Sequence, residues 1–267
     1  MKKTIWVNTI VNNEENFIYF AIMSIVNHVD KVLVWDSGSE DKTVEVIKEI
    51  EKIKGEKILF KEVGKVNEIE FTKMRQKMLN ESDSDWILIL DGDEIWWEES
   101  IKRLRKTIDN KGDRIDGIYV PMILPVGDIY HIQEEKAGKY QIHGKIGNIS
   151  LKAINKKIPG LHVESPYGKE GYIDENNIPV QERENLLFLD APLLHMTHLK
   201  RSSVRRRFEK FKIELGKEVP KNFAFPEVFY RKYPSIIPSP WKRLQGVELF
   251  KAKLLTPIRK LKRSLYG

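Results

Sequence analysis

Residues 85–96, DWILILDGDEIW, run from five apolar side chains, Trp86 to Leu90, straight into three carboxylates, Asp91, Asp93 and Glu94, with only Gly92 to relieve the crowding. A short apolar run of this kind is a buried strand. Ionised carboxylates gathered beside it are costly unless cations or hydrogen bonds compensate them. The reading of the chain therefore turns on where this strand ends and what meets it there.

Upstream, strand-like and helix-like segments alternate. TIWVNTIV (4–11) reads as a buried strand, and EENFIYFAIMSIVNHV (14–29) has helical spacing through Phe17, Phe20, Ala21, Ser24 and Ile25. KVLVWD (31–36) is a second strand, DKTVEVIKEIEKI (41–53) a second helix, KILFKEV (57–63) a third strand, and a helix over 70–81 precedes WILILD. Strands joined by helices at this interval make βαβ units and a parallel sheet. In such sheets ligands sit beyond the carboxyl ends of the strands. The first strand runs into Asn12, Asn13 and Glu14, the second into Asp36 and SGSEDKT, and the fourth into Asp91. Singly, Asn13 or Asp41 is also readable as a helix cap and Asp36 with Gly38 as an ordinary turn. Their convergence on one edge favours a site.

An Asp-Gly-Asp turn brings two carboxylates within reach of one hard cation, whose oxygen shell a diphosphate can complete. Asp83 and Asp85 stand before the apolar run instead and read as a solvated loop. Neither acidic stretch has the spacing of an EF-hand loop, and the Gly-rich fingerprints of dinucleotide and P-loop sites are absent.

Composition bounds the rest. At 267 residues the chain builds one large domain or a domain with an appended piece, and without cysteine it has no disulfides or thiolate metal sites. No apolar run is long enough to span a bilayer. From Leu199 to Gly267 there are 19 Lys/Arg against 5 Asp/Glu, so an overall charge of +7 divides into an acidic body and a basic tail. Such a tail suits anionic lipid, nucleic acid or an anionic substrate, or is simply a solvated helical face. After Asp109 the pattern turns mixed or antiparallel, with strands in GIYVPMILPV (117–126) and from Tyr140 to Ile158. RSSVRRRFEKFKIEL (201–215) has helical spacing, and an aromatic, Pro-rich connector (222–241) leads to the basic, apolar C-terminal segment.

TIVNNEENFIYFAIMSIVNHVDKVLVWDSGSEDKTVEV, FTKMRQKML and DWILILDGDEIW, in this order and spacing, resemble the N-terminal half of a family 2 glycosyltransferase of GT-A fold over roughly residues 4–110. The resemblance implies an α/β GT-A, Rossmann-like mixed sheet, mainly parallel in its N-terminal half and flanked by helices, with a helical basic C-terminal extension. It divides the chain into a catalytic domain over 1–220, with a nucleotide-sugar half (1–110) and an acceptor half (111–220), and an extension over 221–267. It implies that Thr9, Val11, Glu14 and Asp36 hold the nucleoside of a UDP- or GDP-sugar. Arg75 approaches the ribose or diphosphate, and Asp91 and Asp93 form the DxD pair that binds Mn²⁺ or Mg²⁺, Asp93 the more directly. Gln76 departs from the Asn usual after that Arg. In PGLHVESPYG (159–168), Glu164 is the candidate general base, with Asp190 and Glu94 as rivals and an ordinary loop carboxylate as the plain alternative. In LLHMTHLKRS (193–202), His195 or His198 is the candidate third metal ligand, with His198 preferred for its place at the strand's exit. His28, His131 and His143 read as structural or exposed. Arg201, Arg205, Arg206 and Arg207 are candidates for the donor diphosphate or an anionic acceptor.

The expected function is metal-dependent, inverting transfer of a hexosyl group from a nucleotide sugar to the hydroxyl of a glycan, lipid-linked or other acceptor. The expected location is cytoplasmic. Segment 241–263 can meet the inner face of the cell membrane as a basic amphipathic segment, or dock on the body or on another subunit of a homo-oligomer; Gly246 and Pro257 are expected to interrupt it. A sugar nucleotidyltransferase needs a Gly-rich, Arg-bearing loop after strand one, which VNTIVNNEEN lacks. A nucleic-acid protein using the basic tail would carry an acidic body that repels the phosphate backbone, and no recognised RNA-binding module is present.

Overall fold

The computed structural model describes residues 2–165, 171–204 and 212–266. Its main sheet starts with four parallel strands, β1 (Ile5–Val11), β2 (Lys31–Asp36), β3 (Ile58–Glu62) and β4 (Trp86–Ile89), in the order β3-β2-β1-β4. The order in which strands are added reverses at β1, with β2 and β3 on one side and β4 on the other. That reversal is the position where open α/β sheets leave a crevice for ligands.

Beyond β4 the sheet turns mixed, as expected after Asp109. The strand Ile149–Asn155 lies antiparallel to both β4 and β6 (Gly117–Ile123). The strand Leu193–His195 runs parallel to β6 and antiparallel to β5 (Glu94–Trp96), which closes that edge. This is the mainly parallel, then mixed architecture that the resemblance implies.

The two-residue period of the strands sorts their side chains onto two layers. Val32 and Val34 of β2, with Ile5 and Val7 of β1, pack into the large core beneath α1 (Ile18–Ile25), α2 (Thr43–Lys54) and α4 (Glu98–Lys111). Leu33 and Trp35, with Trp6 and Ile10, face the other way and meet Met74 and Met78 of α3 (Glu68–Glu81). The first turn of α3 is fixed by a capping box: the Asn67 side chain accepts from the amides of Ile69 and Glu70, and the Glu70 carboxylate accepts from the Asn67 amide. The aromatic connector folds back onto the same core, with Phe229 edge-on to Phe20 of α1 at 5.1 Å between centroids.

Two expectations are corrected. Residues 201–204 and 212–215, at the ends of the stretch read as a helix, are not helical, and Arg205, Arg206 and Arg207 lie outside the described residues. Backbone groups that a helix would use internally are engaged elsewhere: Arg201 and Lys200 carbonyls accept from the amide and side chain of Asn16, and the Ser203 amide donates to Glu15. At the C-terminus, Pro257 does not break the chain. A single 21-residue helix, α5 (Gly246–Tyr266), runs through it. Among the described residues, no helix is long and apolar enough to cross a membrane.

Candidate functional site

The turn after β4 is built by the carboxylates it carries. Glu94 closes it by accepting from the Asp91 amide at 3.1 Å, while the Glu94 amide donates to the Asp91 carbonyl at 3.1 Å. Gly92 is needed because the turn is pressed against the loop after β1. A Cβ there would lie 2.8 Å from Glu14 Cγ and 3.2 Å from Val11 Cγ1. Gly92→Ala is therefore expected to destabilise the protein by about 1–3 kcal/mol, read as a lowered denaturation midpoint at unchanged slope.

The strand Leu193–His195 completes the group. Leu193 and Leu194 are fully buried, and the register with β5 sets His195 opposite Glu94. The Met196 amide donates to the Asp93 carbonyl at 2.9 Å and locks the pairing. His195 Nε2 then stands 3.4 Å from Asp93 Oδ1, and its Nδ1 lies 3.9 Å from Glu94. One ligand atom from each of Asp91, Asp93 and His195 can be chosen so that all lie within 4.8 Å of one another. Arg201 Nη1 approaches Asp93 Oδ2 at 3.6 Å and bonds Glu14 at 2.6 Å.

Burial alone would raise the Asp93 carboxyl, but His195 and Arg201 outweigh it and hold it down at about 2. Burial likewise works against the charged imidazole, and the neighbouring Asp93, Glu94 and Asp91 raise His195 above the usual histidine range. Asp93 Oδ2 and His195 Nδ1 are buried and make no hydrogen bond among the described residues. Two carboxylates and an imidazole, with lone pairs left over, fit a divalent cation of the Mn²⁺ or Mg²⁺ kind. His198, preferred from the sequence, is elsewhere: its Nε2 meets Lys212 Nζ at 3.0 Å.

Under this group lies a residue the sequence reading passed over. Lys152, 3% exposed, comes from Ile149–Asn155 and pairs with Glu94, which is fully enclosed. Burial would lower Lys152, but Glu94, Asp91 and Asp93 outweigh it and hold it above the usual lysine range. The signal was one lysine inside the apolar strand ISLKAIN. Glu94, a rival base in the sequence reading, is thus occupied with the turn and this pair. Asp190, the other rival, does not line the cavity that Asp91 and His195 share, and its backbone carbonyl accepts from Arg103 of α4.

Two cavities open at the carboxyl ends of the strands. The first, about 810 Å³, is walled by Asn12, Asn13, Gly38, Lys65, Asn67 and Phe71, among others. Asp36 shapes its floor by accepting from the Gly38 and Ser39 amides, with Gly38 at φ 84°. Thr9 and Val11, expected at the nucleoside, are 0% and 1% exposed, and line neither cavity. Glu14 is spent on Arg201 and on packing under Gly92. The second cavity, about 630 Å³, is lined by Arg75, Asp91, Lys152, Glu164, Tyr172 and His195 in particular. The hairpin bearing Glu164, His162–Glu164 paired with Gly171–Ile173, is tied to α3 through Gln76, whose Oε1 accepts from the Val163 amide at 2.7 Å, and Thr72, which donates to the Ser165 carbonyl. That bond gives Gln76, the departure noted in the sequence, a positioning task of its own.

The model of the glycosyl transferase family 2 matches residues 7–157, more than half of the chain. The chain belongs to this family. The chain is also 30% identical over 175 residues to a TPR repeat-containing protein of Synechococcus elongatus, covering 66% of this chain and 36% of that protein. It is 28% identical over 194 residues to the SPbeta prophage-derived glycosyltransferase SunS of Bacillus subtilis, covering 68% of this chain and 43% of SunS. The chain therefore spans about two fifths of the length of the curated relatives it matches. Among solved structures, S. aureus TarS 1–349 in complex with UDP-GlcNAc superposes with a TM-score of 0.50 at 13% identity, covering 78% of this chain and 60% of that one, a likeness of fold.

Proposed function

We propose that this glycosyltransferase moves a sugar from a UDP- or GDP-sugar to an acceptor hydroxyl by a single, inverting displacement that depends on Mn²⁺ or Mg²⁺. The observation that carries the reading is the meeting of Asp91, Asp93 and His195 at the end of β4, with Asp91 and His195 lining the same cavity as Glu164. A divalent cation held there supplies compensation for the charge that develops on the departing diphosphate. Arg75, on α3, faces the same cavity and provides a guanidinium for a phosphate oxygen. The first cavity offers the polar groups of Asn12, Asn13 and Ser37 beside the apolar Val66 and Phe71, a combination that suits a nucleoside. Glu164, exposed on its hairpin, takes the proton of the acceptor hydroxyl as that oxygen attacks.

A thermal-shift screen of sugar nucleotides with and without Mn²⁺ and Mg²⁺ tests the donor and the metal together. Stabilisation by a UDP- or GDP-sugar that requires the cation is expected; the absence of any metal-dependent shift across the screen would sink the proposal. Once a donor is identified, Glu164→Gln is expected to lower kcat by about 10²–10⁴-fold with donor affinity preserved, as measured by steady-state kinetics alongside calorimetry. An unaltered kcat would assign the proton to another group.

A further inference from the structure

Helix α5 presents two different faces. Ala252 is fully buried, Thr256 Oγ1 accepts from the Leu215 amide at 2.8 Å, and Lys260 pairs with Glu134 at 2.8 Å, so one side is seated on the body. On the other side Val247, Phe250, Leu254, Ile258 and Leu261 are each between 57% and 68% exposed. Their spacing of three, four, four and three residues gathers them into one stripe along the helix. A soluble surface rarely leaves large apolar side chains exposed and contiguous in this way. Lys251 and Lys253 flank the stripe and are exposed, and the helix carries six Lys/Arg against one acidic residue, Glu248.

We infer that α5 lies in the interface of an anionic lipid bilayer. The apolar stripe enters the boundary between headgroups and acyl chains, and the flanking cations meet the lipid phosphates. Charge decides between this occupant and a second copy of the chain: two α5 helices packed stripe to stripe would bring cationic flanks together with a single glutamate each to offset them. A nucleic-acid backbone would satisfy the cations but gives five large apolar side chains nothing to bury against. The helix is seated on the chain around Glu134 and Leu215, next to a third cavity of about 390 Å³ that is lined by Gln133, Ala137 and Lys139 and shares His195 with the second.

The test is cosedimentation of the full chain with vesicles of phosphatidylcholine mixed with phosphatidylglycerol, against vesicles of phosphatidylcholine alone. Binding to the anionic vesicles is expected, weakened about tenfold or more in Phe250→Ser/Leu254→Ser and weakened with a flattened salt dependence in Lys251→Glu/Lys253→Glu. Because these side chains are exposed, both variants are expected to keep the wild-type circular dichroism and Tm, which shows that they fold. No sedimentation with anionic vesicles, or undiminished sedimentation of Phe250→Ser/Leu254→Ser, overturns the inference. A concentration-dependent dimer that this variant dissolves, with no vesicle binding, assigns the stripe to a second copy and overturns it equally.

Discussion

Asp93→Asn is expected to remove metal-dependent donor binding and to cut transfer by about a thousandfold or more, while leaving the fold intact. The reason lies in where Asp93 sits. Its Oδ2 is buried without a hydrogen bond among the described residues, its Oδ1 faces His195, and its carboxyl is held at about 2, so it is ionised throughout the physiological range. Asn keeps the shape and loses the charge. The pairs with His195 and Arg201 go with the charge, so the apo protein is expected to stay folded but to melt somewhat lower than wild type. Calorimetry of the donor with and without Mn²⁺, beside a melting curve, checks both halves; unchanged metal-dependent affinity would remove Asp93 from the site.

Lys152→Met is expected to have the largest effect on stability. Removing one member of a buried ion pair leaves the other charged group enclosed, and losses of about 3–5 kcal/mol are typical. Here the abandoned group is Glu94, fully enclosed and bonded through its second oxygen to the turn that carries Asp91. The double variant Glu94→Gln/Lys152→Met is expected to recover most of the loss, because neither group is then a bare buried charge. Denaturant unfolding of the two single variants and the double variant measures the coupling. Additive losses would show that the pair does not act as a unit.

Local pattern made the nucleotide-binding half readable. WILIL, KVLVWD and TIWVNTIV are apolar on both faces because helices cover both sides of the sheet, and the alternation of Val32 and Val34 with Leu33 and Trp35 settles which helix each one meets. What could not be read was whatever depended on pairing between distant segments. LLHMTHLK places both histidines after apolar residues, and only the register of Leu193–His195 against β5 brings His195 beside Asp93. Lys152 has no local mark of its partner, since Glu94 is on another strand. Thr9 and Val11 lie deep in β1 and line neither cavity, because the chain turns toward the first cavity only at Asn12 and at Asn13, which adopts φ 57°. The basic stretch from Arg201 kept helical spacing, yet its backbone is held by the loop after β1, a contact that no periodicity foretells.

That last contact also orders events in time. During synthesis, β1, β4 and the Asp-Gly-Asp turn leave the ribosome well before His195, Arg201 and Ser203, and contacts between segments so far apart form late in folding. Until the strand Leu193–His195 docks, Asp91 and Asp93 face neither an imidazole nor a guanidinium. The nascent chain thus holds these two carboxylates with Lys152 alone to offset them, and the Asp91, Asp93 and His195 cluster comes into existence only as that strand enters the sheet.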